Sequence, residues 1–148
     1  MNKDYNEQTI NNQKALDNPQ VGDYWNEMFC PYFVVVEVLK DNQFRVLSCM
    51  GGSSSFYRKN EPNARVDNKD GTWSFDYSKD MIVDREWMSK AVKYSSIDGF
   101  VADVWNTEKS QTIAKEWRNH RANQLRKEWE DKRAEWEQFT GWKYLQDA

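Results

Sequence analysis

The chain has 148 residues, 30% of them charged and 39% hydrophobic, with a formal net charge of -3. That length supports a single domain-sized core, the acidic balance excludes a basic nucleic-acid footprint over the whole chain, and no apolar run reaches the roughly 18 residues a membrane span needs. Aromatics make up 15% despite a mean hydropathy of -1.02, which predicts an aromatic-rich core with long polar appendages rather than a disordered chain.

Residues 1–20 are rich in Asn and Gln, hold only Tyr5, Ile10, Ala15 and Leu16 as core candidates, and are expected to form a mobile arm. No basic-then-apolar leader opens them, so a soluble cytoplasmic protein is expected. Val21 to Phe29 reads as a first strand, and the break at Pro31 turns it into the next. Phe33 to Leu39 and Phe44 to Met50, parted by Asp41-Asn42-Gln43, carry the pattern of a β-hairpin. Val34, Val36 and Val38 alternate with Phe33, Val35 and Leu39, and only Glu37 interrupts the apolar run. The strand should therefore be covered on both faces and lie at the centre of a sheet. Arg45 and Ser48 give its partner a more half-exposed look. Cys30 and Cys49 lack metal or redox spacing and read as small buried hydrophobes, with a bridge between them or a reactive thiol as the alternatives.

Gly51-Gly52-Ser53-Ser54-Ser55 opens a polar connection to Gly71 that is expected to face a partner. It lacks the lysine and helix of a phosphate-binding loop. Aligning Gly71 with the invariant glycine of a calcium-binding loop puts Val66 at the first ligand position, so Asp67 to Gly71 reads as a turn instead. Thr72 to Tyr77 alternates as a half-buried strand, with Trp73, Phe75 and Tyr77 inward. Met81 to Val83 adds a brief strand, Asp84 caps a helix from Arg85 to about Tyr94, and Gly99 to Trp105 forms one more strand. From Glu108 to about Phe139 there is neither Gly nor Pro, which predicts a helix of roughly 50 Å. Gly141 ends it.

Little here carries chemistry. His120 with Glu116 one turn before it reads as a surface pair, since no second histidine or cysteine shares that face. Glu37 and Lys40 are one residue too far apart for the carboxylate-lysine pattern of metal-dependent nucleases and point to opposite strand faces. No catalytic residue, metal ligand or cofactor is expected, and the chain reads as a non-enzyme.

Two helix surfaces remain as candidates. Trp117, Leu125, Trp129, Trp136, Phe139 and Trp142 form a protein-binding set, because tryptophan anchors interfaces and the helix outruns its own domain. Ala122, Leu125, Trp129, Trp136 and Phe139 also fit an a/d heptad, with Lys132 at a d position, so homo-oligomerisation through this helix is a further option. The alternative site is nucleic-acid-binding: Lys115, Arg118, Arg121, Arg126 and Lys127, offset only by Glu116, give a local charge of 5 - 1 = +4.

The runs Val21-Gly-Asp-Tyr-Trp-Asn-Glu-Met-Phe-Cys-Pro-Tyr-Phe-Val34 and Tyr94-Ser-Ser-Ile-Asp-Gly-Phe-Val-Ala-Asp-Val104 resemble small proteins encoded by large tailed bacteriophages. The resemblance spans residues 21–105 and implies a phage product in a bacterial cytoplasm. It carries over no activity.

The expected architecture is α+β. Residues 1–20 are the arm, and 21–106 form a small, mostly antiparallel sheet or half-open barrel with one short helix. The long helix covers 107–140 and a tail 141–148. The expected function is a protein-binding factor that occludes a host or host-defence protein. Nucleic-acid binding through the basic half of the helix is the alternative, and sequestration of a small nucleotide signal a second one.

Overall fold

A computed structural model describes residues 17–27, 30–49, 62–90, 103–106 and 108–144. The strands are β1 (Asp23–Glu27), β2 (Cys30–Val38), β3 (Gln43–Ser48), β4 (Arg65–Asp67), β5 (Trp73–Phe75), β6 (Asp80–Asp84) and β7 (Asp103–Asn106). Helix α1 is described over residues 85–90, and the long helix α2 is Glu108–Thr140. Five strands pair in the order β6-β3-β2-β1-β7, each antiparallel to its neighbour. β4 and β5 form a separate two-stranded ribbon. The fold is α+β, as expected, and the sheet is not closed: β6 and β7 are its two edges.

β2 is the middle strand, as its two-sided apolarity predicts. Val34 and Val36 join Tyr24, Leu47 and Ala64 in a cluster with Ile113, Ala114 and Trp117 of α2. On the opposite face the Phe33 ring meets Trp87 of α1 edge-on, with centroids 5.1 Å apart, and Met88 is fully buried. The β2-β3 turn is made by Asp41 and Asn42 at φ 60 and 57°. These residue types tolerate the left-handed region, and two such residues in sequence match the twist of the flanking strands.

The strict alternation expected along β2 fails at one point. Its register with β3 slips between Val35 and Glu37, so Val34 pairs with Leu47 while Val38 pairs with Phe44. Leu47 and Phe44 are three residues apart and face opposite ways, which places Val38 on the other face from Val34. The slip is a bulge that inserts one residue and rotates the remainder of the strand. It sets Glu37 beside Arg45, Oε1 to Nε 3.4 Å. β3 also differs from its half-exposed reading: Phe44, Val46, Leu47 and Ser48 are all buried. β6 pairs along its outer edge and helices lie over both faces, so from Phe44 to Ser48 Arg45 alone reaches solvent in part, while Gln43 at the start of the strand is exposed.

The stretch read as a polar loop to Gly71 contains β4, whose one apolar and two charged residues give little strand signal. The Gly51–Ser55 part lies outside the described residues, as do residues 1–16 of the arm. Asp67 to Gly71 is the expected turn: Asn68 N–H donates to Thr72 O at 2.8 Å, and Gly71 takes φ 85°. Only Trp73–Phe75 of the alternating run is strand. Asp84 caps α1 as expected, its Oδ1 accepting from Trp87 N–H at 2.9 Å. The expected continuation of that helix to Tyr94, and the strand from Gly99 to Ala102, lie outside the described residues.

Candidate functional site

Among the described residues, α2 is attached to the domain by its beginning alone. Its buried residues are Ser110, Ile113, Ala114 and Trp117, a stripe of little more than two turns. Trp117 is 3% exposed. Its indole N–H donates to Asp80 Oδ2 at 3.1 Å, and the Arg45 guanidinium sits 5.9 Å from the ring. Asp80 also binds Arg45, 3.3 Å from Nη1. Trp117 therefore leaves the expected protein-binding set: it is a core residue, held because the sheet offers its one polar atom an acceptor.

The β4-β5 ribbon braces the same turns. Lys109 and Arg65 place their cations 5.1 and 5.6 Å from the Trp73 ring. The Tyr77 hydroxyl donates to Glu116, and its ring lies 6.4 Å from the half-buried His120. Burial first, then the Glu116 carboxylate, pushes the Tyr77 hydroxyl well above its ordinary range, so it remains a donor. Glu116 and His120 thus share Tyr77 rather than forming only a surface pair. Among the described residues there is no group of three or more His, Cys, Asp or Glu able to hold a metal ion. Nor is any described helix long and apolar enough to cross a membrane.

From residue 122 to 139 no side chain of α2 is buried, so about 30 Å of helix projects from the domain. Leu125, Trp129, Trp136 and Phe139 all remain exposed, Trp129 at 46%, Trp136 at 41% and Phe139 at 90%. The helix ends at Gly141, whose φ of 72° and N–H donation to Glu137 O at 2.8 Å form a left-handed cap. The chain then turns back along the helix. Trp142 N–H donates to Thr140 Oγ1 at 3.1 Å and Tyr144 N–H to Glu137 Oε1 at 2.8 Å.

This return builds an aromatic cluster. Tyr144 lies edge-on to Trp129 at 5.6 Å and to Trp136 at 6.5 Å, and Trp142 meets Trp136 at 6.4 Å. Arg133 sits among them, 5.6 Å from the Trp129 ring and 5.4 Å from Tyr144, and is tied to Glu137 at 3.1 Å. The structure thus brings together Trp129, Trp136 and Trp142 of the expected set, and leaves Leu125 and Phe139 apart from the cluster. Sequence reasoning missed Arg133 and Glu137, whose signal was their four-residue spacing after Trp129 and Arg133 respectively, whereas Tyr144 belongs to the tail expected to fold back or bind after Gly141.

The Tyr144 N–H first, and then Arg133, hold the Glu137 carboxyl below its usual range. A lowered folded-state value means that Glu137 supports the returning tail above the ordinary glutamate pKa and loses that support as pH falls through the depressed value. Acidification through that depressed value, below the ordinary glutamate range, is expected to release Tyr144 from Trp129, read as a change in tryptophan emission that Glu137→Ala produces at neutral pH. An emission spectrum that is the same for both proteins at both pH values would show that Glu137 does not hold the tail.

Of the basic residues singled out for nucleic acid, Lys115, Arg118, Arg126 and Lys127 are exposed. Arg121 is half-buried and donates to Gln124 at 2.8 Å, while Arg126 donates to Asn123 at 3.0 Å. Cys49 is buried, as expected of a small hydrophobe, and the Cys30 side chain lies outside the described residues. No protein-family model, curated protein or solved structure matches the chain.

Proposed function

We propose that the chain is a non-enzymatic protein-binding factor that docks through the projecting half of α2 and its returning tail. The observation that carries this reading is the exposure of four large apolar side chains on a helix that leaves its domain. The tail adds Trp142, 70% exposed, to the same end. Isolated apolar side chains on a surface are ordinary, but the contiguous part of this set, Trp129 and Trp136 with Trp142 and Tyr144 and rimmed by charge, supports an interaction site. The mechanism is occlusion, in which the helix covers a surface of its target. The target class is a host or host-defence protein, following the resemblance to phage products.

Tryptophan anchors contribute about 2–4 kcal/mol each when an interface buries them, although such effects do not add fully. The Trp129→Ala, Trp136→Ala double variant should therefore lose at least about 100-fold in affinity for a captured partner. Its own stability should change by no more than about 1 kcal/mol, because neither side chain is buried. Capture from nuclease-treated bacterial lysate, followed by titration of the recovered protein, makes the comparison. Equal binding by the double variant would remove the helix from the mechanism, and nuclease-sensitive recovery would move the function to nucleic acid.

A further inference from the structure

We infer that the seat on α2 accepts an acidic amphipathic helix, an inference that rests on the protein-docking reading above. Successive residues on an α-helix turn by about 100°. With Trp129 as the reference, Lys115, Arg118, Arg126, Lys132 and Arg133 all lie within about 60° of it. Ala122, Leu125 and Trp136 fill the rest of that face. From Lys115 onward no carboxylate lies on it: Glu116, Glu128, Glu130, Asp131, Glu135 and Glu137 are all about 80° or more away. From Lys115 onward α2 is thus cationic and apolar on one side, while the other carries six carboxylates against the two cations Arg121 and Lys127, a division hidden by its near-neutral total.

The far end of the same face is a groove of about 910 Å3 between the helix and the returning tail. Its walls are the rings of Trp129, Trp136, Trp142 and Tyr144, and every charged residue lining it is a cation: Lys132, Arg133 and Lys143. Apolar positions recurring at three and four residues are the spacing that receives another helix. Cations on either side of them select one that carries Glu or Asp at its flanks, since guanidinium-carboxylate bonds are charge-assisted and like charges across an interface cost several kcal/mol.

A nucleic acid fits this arrangement less well. Residues 108–148 carry nine bases and eight acids, so a strand with a phosphate at every nucleotide meets repulsion from the back of the helix that a one-sided acidic peptide avoids.

The test uses the full chain and three fluorescein-labelled probes. One is a three-heptad peptide with Leu at a and d and Glu at e and g, and its twin carries Lys at e and g. The third is an oligothymidine of similar length. Anisotropy should show the Glu peptide binding more than about tenfold tighter than its Lys twin and weakening as salt rises. Circular dichroism should show it gaining helix on binding. Arg118→Glu with Arg126→Glu, both exposed and neither holding the tail, should shrink the preference to about twofold or less, since three cations would then face two carboxylates. Equal binding of both peptides would overturn the charge-selected partner while leaving the docking surface standing. Binding of neither peptide would also overturn it, with the docking reading still decided by the lysate capture. Tighter binding to oligothymidine than to either peptide would overturn both.

Discussion

Trp117→Ala is expected to lower the stability of the domain by about 3–5 kcal/mol, the range for truncating a buried aromatic. The residue is fully packed, and the buried stripe of α2 to which it belongs includes only Ser110, Ile113 and Ala114 besides. Its loss removes the largest side chain joining the helix to the sheet and takes from Asp80 one of its two side-chain donors among the described residues, leaving Arg45. Because small domains hold only about 5–15 kcal/mol in total, such a change is a large fraction of what keeps the chain folded. Urea unfolding should show a lower midpoint with an unchanged slope, and Trp129→Ala should move the midpoint far less. Equal losses for the two variants would mean that the projecting half of α2 is as much a part of the core as its root.

That contrast also marks where the sequence is legible. Both tryptophans sit on a helix that composition alone delimits to within a residue, Glu108 to Thr140 against an expected Glu108 to Phe139. Which of them meets the sheet depends on their neighbours: Ile113 and Ala114 precede Trp117 by one turn, whereas Leu125 before Trp129 is followed by Arg126, Lys127 and Glu128. Grouping Trp117 with the exposed tryptophans by residue type overlooks that stripe. The β2-β3 hairpin is readable because side-chain period and turn chemistry agree, down to the left-handed Asp41 and Asn42. The bulge beside Val36 is not, since no glycine or proline marks it, and its effect, setting Glu37 beside Arg45, is a cross-strand contact. The aromatic cluster is half visible. Its tryptophans stand out in any composition, but the tail closes on them through Glu137 and Arg133, ordinary helix residues until Gly141 reverses the chain.

Phe33→Ala should cost a similar amount, about 3–5 kcal/mol, for reasons that lie on the other side of the sheet. Phe33 is fully buried in the central strand and meets Trp87 edge-on, a geometry that adds about 0.5–1.5 kcal/mol to simple burial. The cavity would open beneath α1, away from α2. Since Phe33 and Trp117 face opposite ways across β2, with no partner in common among the described contacts, their effects should add to within about 0.5 kcal/mol. The double variant then approaches the whole stability of a small domain and should be largely unfolded without denaturant. The single Phe33→Ala variant separates fold from function. While it remains folded, the face of α2 that carries Trp129 and Trp136 is untouched, so its affinity for a partner should match the parent protein to within about twofold, a difference below 0.5 kcal/mol. A variant that loses stability and keeps affinity places the binding surface outside the core. Loss of affinity in step with stability would tie binding to the sheet, and the projecting helix would cease to explain it.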